Sequence, residues 1–164
     1  MSYFFNAEEI FHVAIGIEQN GEEFYLAMSK QAGDKKTQDV CRRLSAEEHS
    51  HRLMFERLLN EFLSKKGSFL ELKELSEDDL NYIKSLSDSN VFIRPGYLKE
   101  ASGNIKTAPD VVNLALDFEK DSILFFIQMK KFTRPEWGRP ELDKLIAQEQ
   151  EHIRLLTALL KELG

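Results

Sequence analysis

The chain has 164 residues with 22 Lys and Arg against 28 Asp and Glu, a formal net charge of −6. That balance excludes a general binder of nucleic acid or of an anionic membrane, and no apolar run approaches the ~18 residues of a membrane span. The length suffices for one domain with a real core, and a lone cysteine, Cys41, excludes a disulfide framework or cysteine metal cluster within the chain.

The opening "MSYFFNAEEI" lacks the basic start and apolar stretch of a signal peptide, so a cytoplasmic protein is expected. Apolar residues then recur at three- and four-residue spacing, predicting a first helix over 7–31. "AGD" at 32–34 supplies a glycine stop and an Asp able to cap a second helix over 36–64. A long connection, 65–107, holds a short helix after Ser76, which with Asp79 resembles a capping box, and turn signals at "RPG" and "ASGN". A third helix is predicted over 108–132; "TRPEWGRP" at 133–140 breaks the chain; a fourth helix runs over 139–163.

The two helix pairs are one hairpin written twice. A shift of 101 residues pairs Ala14 with Ala115, Glu18 with Glu119, Phe24 with Phe125 and Met28 with Met129. The same shift pairs Leu44 with Leu145, Glu48 with Glu149, His51 with His152 and Leu58 with Leu159, without a gap. It also sorts the crowded stretch "LSAEEHSHRL". The second copy reads "IAQEQEHIRL", so Gln148 stands opposite Glu47 and Gln150 opposite His49, and only Glu48 and His51 recur.

Helical spacing selects the same residues independently. Phe11, Ala14, Glu18, Gly21, Tyr25 and Met28 form one stripe; Cys41, Leu44, Glu48, His51, Phe55, Leu58 and Phe62 form the next. Val112, Ala115, Glu119, Ser122, Phe126 and Met129 form the third, and Leu142, Leu145, Glu149, His152, Leu156 and Leu159 the fourth. Such stripes are the buried faces of helices in a bundle. Each is apolar except near its middle, where it carries Glu or Glu-x-x-His.

Hairpin geometry aligns these interruptions. Glu18 and Glu48 are equidistant from Gly33 in the first turn, and Glu119 and Glu149 from Arg134 in the second. At ~1.5 Å rise per residue each pair lies roughly 20 Å from its turn. Docking the hairpins would gather four carboxylates and two imidazoles in one layer of the core. Bare carboxylates there would cost several kcal/mol each or take up protons. Two divalent metals balance the four charges, and oxygen and nitrogen donors without thiolate suit iron or manganese. One Glu from each of two helices plus Glu-x-x-His from the other two is the dinuclear carboxylate pattern of ferritin-like bundles. The expected fold is therefore an all-α, ferritin-like four-helix bundle of two repeated hairpins joined by a long crossover.

The neighbours read differently. Glu47, His49 and Glu151 fall off the stripes and are expected to be solvated, with His12 partly exposed. Met28, Met129, Phe24 and Phe125 read as core and Cys41 as a small buried hydrophobe. Tyr25, two turns from Glu18 on its face, is a candidate hydrogen-bond partner of a ligand or a redox participant besides its packing role.

"AIGIEQNGEEFY", "SAEEHSH", "ALDFEKDSILFF" and "AQEQEH" resemble the metal-binding helices of the rubrerythrin branch of the ferritin-like superfamily, over about 7–61 and 108–162. The resemblance implies that Glu48 and Glu149 bridge two irons, Glu18 and His51 completing one and Glu119 and His152 the other. It implies oxidation of the ferrous pair by peroxide or dioxygen, hence protection against oxidative stress. Typical members carry a rubredoxin-like domain with paired Cys-x-x-Cys motifs; with one cysteine here, an external electron donor such as a rubredoxin is expected. They also carry an extra glutamate one turn after the third-helix ligand, where this chain has Ser122, which implies weaker peroxidase chemistry. The alternatives are a ferritin-type ferroxidase and iron store, or a non-enzymatic metal-stabilised bundle. A homodimer is expected, and the long connection would let hairpins exchange between two chains.

Overall fold

The computed structural model describes residues 7–65, 76–89, 103–133 and 138–164. Their helices are α1 (Ala7–Gln31), α2 (Lys35–Ser64), α3 (Glu77–Ser89), α4 (Ala108–Phe132) and α5 (Arg139–Leu163). The architecture is an all-α, ferritin-like bundle in which α1 packs along α2 and α4 along α5.

The helix ends follow from local chemistry. Asp34, in extended backbone, accepts a hydrogen bond from the Thr37 amide at 2.8 Å and so caps α2. The box predicted before α3 is present: the Asp79 amide donates to Ser76 Oγ at 3.1 Å, and the Ser76 amide to the Asp79 carboxylate at 3.3 Å. A second box, Thr107 with Asp110, starts α4 ahead of Pro109. Its signature "TAPD" is equally readable in the sequence. Gly138 enters α5 at a φ of 70°, a left-handed conformation that favours glycine. The "RPG" turn signal and residues 134–137 lie outside the described residues, as does half of "ASGN".

The stripes are the core. Phe24 meets Phe118 edge-on with ring centroids 4.9 Å apart, and Phe55 meets Phe126 at 5.2 Å, so aromatic contacts join the two hairpins. Each such ring contributes roughly 1.5–3 kcal/mol by leaving water, which offsets the polar layer it encloses. Met28, Met129, Phe125 and Cys41 are buried as expected. From the connection, α3 packs on α4 and adds Ile83 to the core. No helix among the described residues is long and apolar enough to cross a membrane.

Candidate metal centre

The four long helices bring Glu18, Glu48, His51, Glu119, Glu149 and His152 together, each at most 5% exposed. Each Glu-x-x-His spacing places its two side chains on one face of a helix, one turn apart. His51 Nδ1 lies 2.9 Å from Glu149 and 3.4 Å from both Glu18 and Glu48. His152 Nδ1 lies 2.9 Å from Glu149, 3.3 Å from Glu48 and 3.5 Å from Glu119. The two rings stack with centroids 5.7 Å apart.

These contacts lack hydrogen-bond geometry. Both oxygens of Glu18 and of Glu149, one of Glu48, and Nδ1 of each histidine are buried without a hydrogen-bond partner among the described residues. Orphaned buried polar atoms are costly. Here they converge in two overlapping groups, Glu18, Glu48, His51 and Glu149, and Glu48, Glu119, Glu149 and His152, whose donor atoms lie within 4.8 Å of one another. Glu48 and Glu149 belong to both. The cluster is positioned for a metal site, and its oxygen and nitrogen donors fit divalent cations.

The electrostatics favour the same occupant. Burial, then the Glu48 carboxylate, pushes the pKa of Glu18 well up; burial, then Glu149 and Glu48, does the same to Glu119. Burial also opposes charge on Glu48 and Glu149, yet their polar neighbours, the two imidazoles among them, hold both below the usual carboxylate range. Burial works against both imidazolium ions too, but three surrounding carboxylates outweigh it and raise each histidine strongly. Without metal these directions favour protons on the Glu18 and Glu119 carboxyls and on both imidazoles, which offset the negative charge of the layer. Two divalent cations would offset it in their place.

Two further residues of the first stripe shape the cluster. The Tyr25 hydroxyl donates to the Glu119 carboxylate across the two hairpins, with both side chains buried. Burial, then Glu119, raises the phenol's pKa well above its ordinary value, so Tyr25 stays a donor. A Cβ added at Gly21 would meet Glu48 Cγ at 3.4 Å. Gly21→Ala is thus expected to fit and to gain up to about 1 kcal/mol of helix stability in urea unfolding of the metal-free protein. Gly21→Leu is expected to displace Glu48 and weaken metal uptake, measured by metal analysis. Ser122, the repeat counterpart of Gly21, is buried on α4.

Off the stripes, His49 and Glu151 are exposed, paired with Glu22 and Arg154 respectively, and His12 stands 3.5 Å from Glu8 at 60% side-chain exposure. Glu47 corrects the sequence reading. It is half-buried, and its Oε2 lies 2.7 Å from His152 Nε2. A glutamate one position off a stripe stands at its flank, and its long side chain reaches from α2 across to α5.

A family model described as Rubrerythrin matches residues 9–160. The chain belongs to the rubrerythrin family. The matched range includes α3, which the sequence resemblance left outside it. No curated protein and no solved structure matches the chain. Membership of a diiron-carboxylate family and the buried carboxylate and histidine cluster rest on separate observations and agree.

Proposed function

We propose that Glu18, Glu48, His51, Glu119, Glu149 and His152 hold two iron ions, and that the protein oxidises this ferrous pair with peroxide or dioxygen as a defence against reactive oxygen. The observation that carries the reading is the pair of donor groups sharing Glu48 and Glu149, a division suited to two bridging carboxylates. The donor set also accommodates manganese. When bound, a ferrous pair supplies two electrons to the oxidant. The chain's part is to hold six donors in fixed positions on four packed helices and to exclude bulk water with the phenylalanine layers. Tyr25 keeps its proton and pins one oxygen of Glu119, leaving the other oxygen for a cation. The four carboxylates balance the ferrous state, so oxidation creates positive charge that anions from the oxidant or solvent offset. The reduced state then returns with electrons from a separate donor, a rubredoxin or comparable protein.

Anaerobic protein loaded with ferrous iron and titrated with each oxidant tests this. About two ferrous ions per chain are expected to be oxidised, faster by peroxide than by dioxygen, after which reaction stops until a reduced rubredoxin is added. A small oligomer, a homodimer in our proposal, is expected on size-exclusion chromatography. Continued oxidation beyond that ratio, with a soluble mineral and elution as a large cage, would replace the enzyme reading with iron storage.

A further inference from the structure

The two halves of the centre repeat one another inside the core but not at its rim. Both imidazoles turn Nδ1 toward the shared carboxylates. Behind His152, Nε2 meets Glu47 Oε2 at 2.7 Å, and the other Glu47 oxygen accepts from Arg43 Nε at 2.7 Å. Behind His51, Nε2 is buried and has no hydrogen-bond partner among the described residues. The residue at Glu47's repeat position is Gln148, a neutral amide.

We infer that Glu47 is a positioning residue for His152 and that it makes the two metal positions unequal, the one served by His152 and Glu119 being the tighter. The inference rests on the diiron reading of the cluster. A carboxylate facing Nε2 accepts a hydrogen bond from the N–H held there, which leaves the Nδ1 lone pair facing Glu48, Glu119 and Glu149. It also locks the ring's rotation and makes the imidazole a stronger donor. Arg43 holds Glu47 in turn, so the anchoring runs from the surface to the ligand. His51 has the same inward face without that support, and Gln148 can supply a hydrogen-bond acceptor but no negative charge. The repeat that built two similar positions has thus been broken by one side chain.

Anaerobic calorimetric titration of the whole chain with ferrous iron tests this. The wild type is expected to show two binding events of different affinity. Glu47→Gln, close in shape but uncharged, is expected to weaken the tighter event by roughly tenfold or more and to change the other less than about threefold. Gln148→Glu is expected to tighten the weaker event. In zinc-loaded protein, the His152 Nε2 proton is expected as a slowly exchanging downfield NMR signal that shifts in Glu47→Gln while the His51 ring signals stay. Two equal events in the wild type, or a Glu47→Gln titration identical to wild type, would overturn the inference. So would an equal weakening of both events together with a lowered melting temperature of the metal-free variant, since that marks a general effect on the fold. A wild type that takes up no iron would instead sink the diiron reading from which the inference starts, so the two failures are distinguishable.

Discussion

Glu48→Ala and Glu149→Ala are expected to abolish binding of both metal ions, whereas Glu18→Ala and Glu119→Ala are expected to leave about one ion per chain. The contrast follows from the two overlapping donor groups, because Glu48 and Glu149 serve both and the other two carboxylates serve one each. The same sites govern stability. Metal binds the folded cluster and has few equivalent ligands arranged for it in the unfolded chain, so at a free concentration a thousandfold above Kd each ion adds about 4 kcal/mol. For a chain of this size that raises the melting temperature by on the order of 10 °C per ion. Replacing all four glutamates by Leu is expected to erase the difference between metal-loaded and metal-free protein. The metal-free variant should itself melt above metal-free wild type, because buried carboxylates are costly and apolar side chains of similar size are not. Calorimetry with and without metal measures both effects. Equal melting temperatures for loaded and metal-free wild type would mean that the cluster is not where metal binds.

The six clustered residues were legible because two independent patterns met on them. The 101-residue repeat kept Glu48 and His51 and discarded Glu47 and His49, and the helical stripes placed the same survivors in an apolar face. Tyr25 was legible by its position on that face, though its partner was not: Glu119 lies 94 residues away and only the docking of the hairpins brings them together. Glu47 was misread for a physical reason. Stripe counting assigns a residue by where its Cα sits on the helix, while a glutamate at the flank has enough reach to turn toward a neighbouring helix and find a buried donor. Its repeat partner being Gln148 also removed it from the recurring set, so the filter that found the clustered residues hid the group behind one of them. The role of α3 was likewise illegible, since a 13-residue amphipathic helix does not state which surface of the bundle it covers.

The gap between metal-loaded and metal-free melting temperatures is expected to widen as pH rises from about 5.5 to about 8. In the metal-free fold, Glu18 and Glu119 have raised pKa values, burial being the largest cause in both. Their contribution to stability is fully present below the ordinary carboxylate value and is lost as pH rises through the folded values. His51 and His152, also raised, contribute fully below the ordinary imidazole value and lose that contribution only at high pH. Glu48 and Glu149 have the opposite sign: lowered in the fold, they stabilise above the ordinary carboxylate value and cease to do so as pH falls. The metal-free protein should therefore be most stable in mildly acidic solution and weaken toward alkaline pH. Metal reverses that slope, because cations bound by these side chains displace protons from the raised carboxyls and imidazoles, and each displacement becomes easier as pH rises. Paired melting curves across this range, with proton release measured in weakly buffered solution during metal addition, give the answer. A gap that narrows with rising pH, or metal uptake that releases no protons, would show that these six side chains are not the ligands.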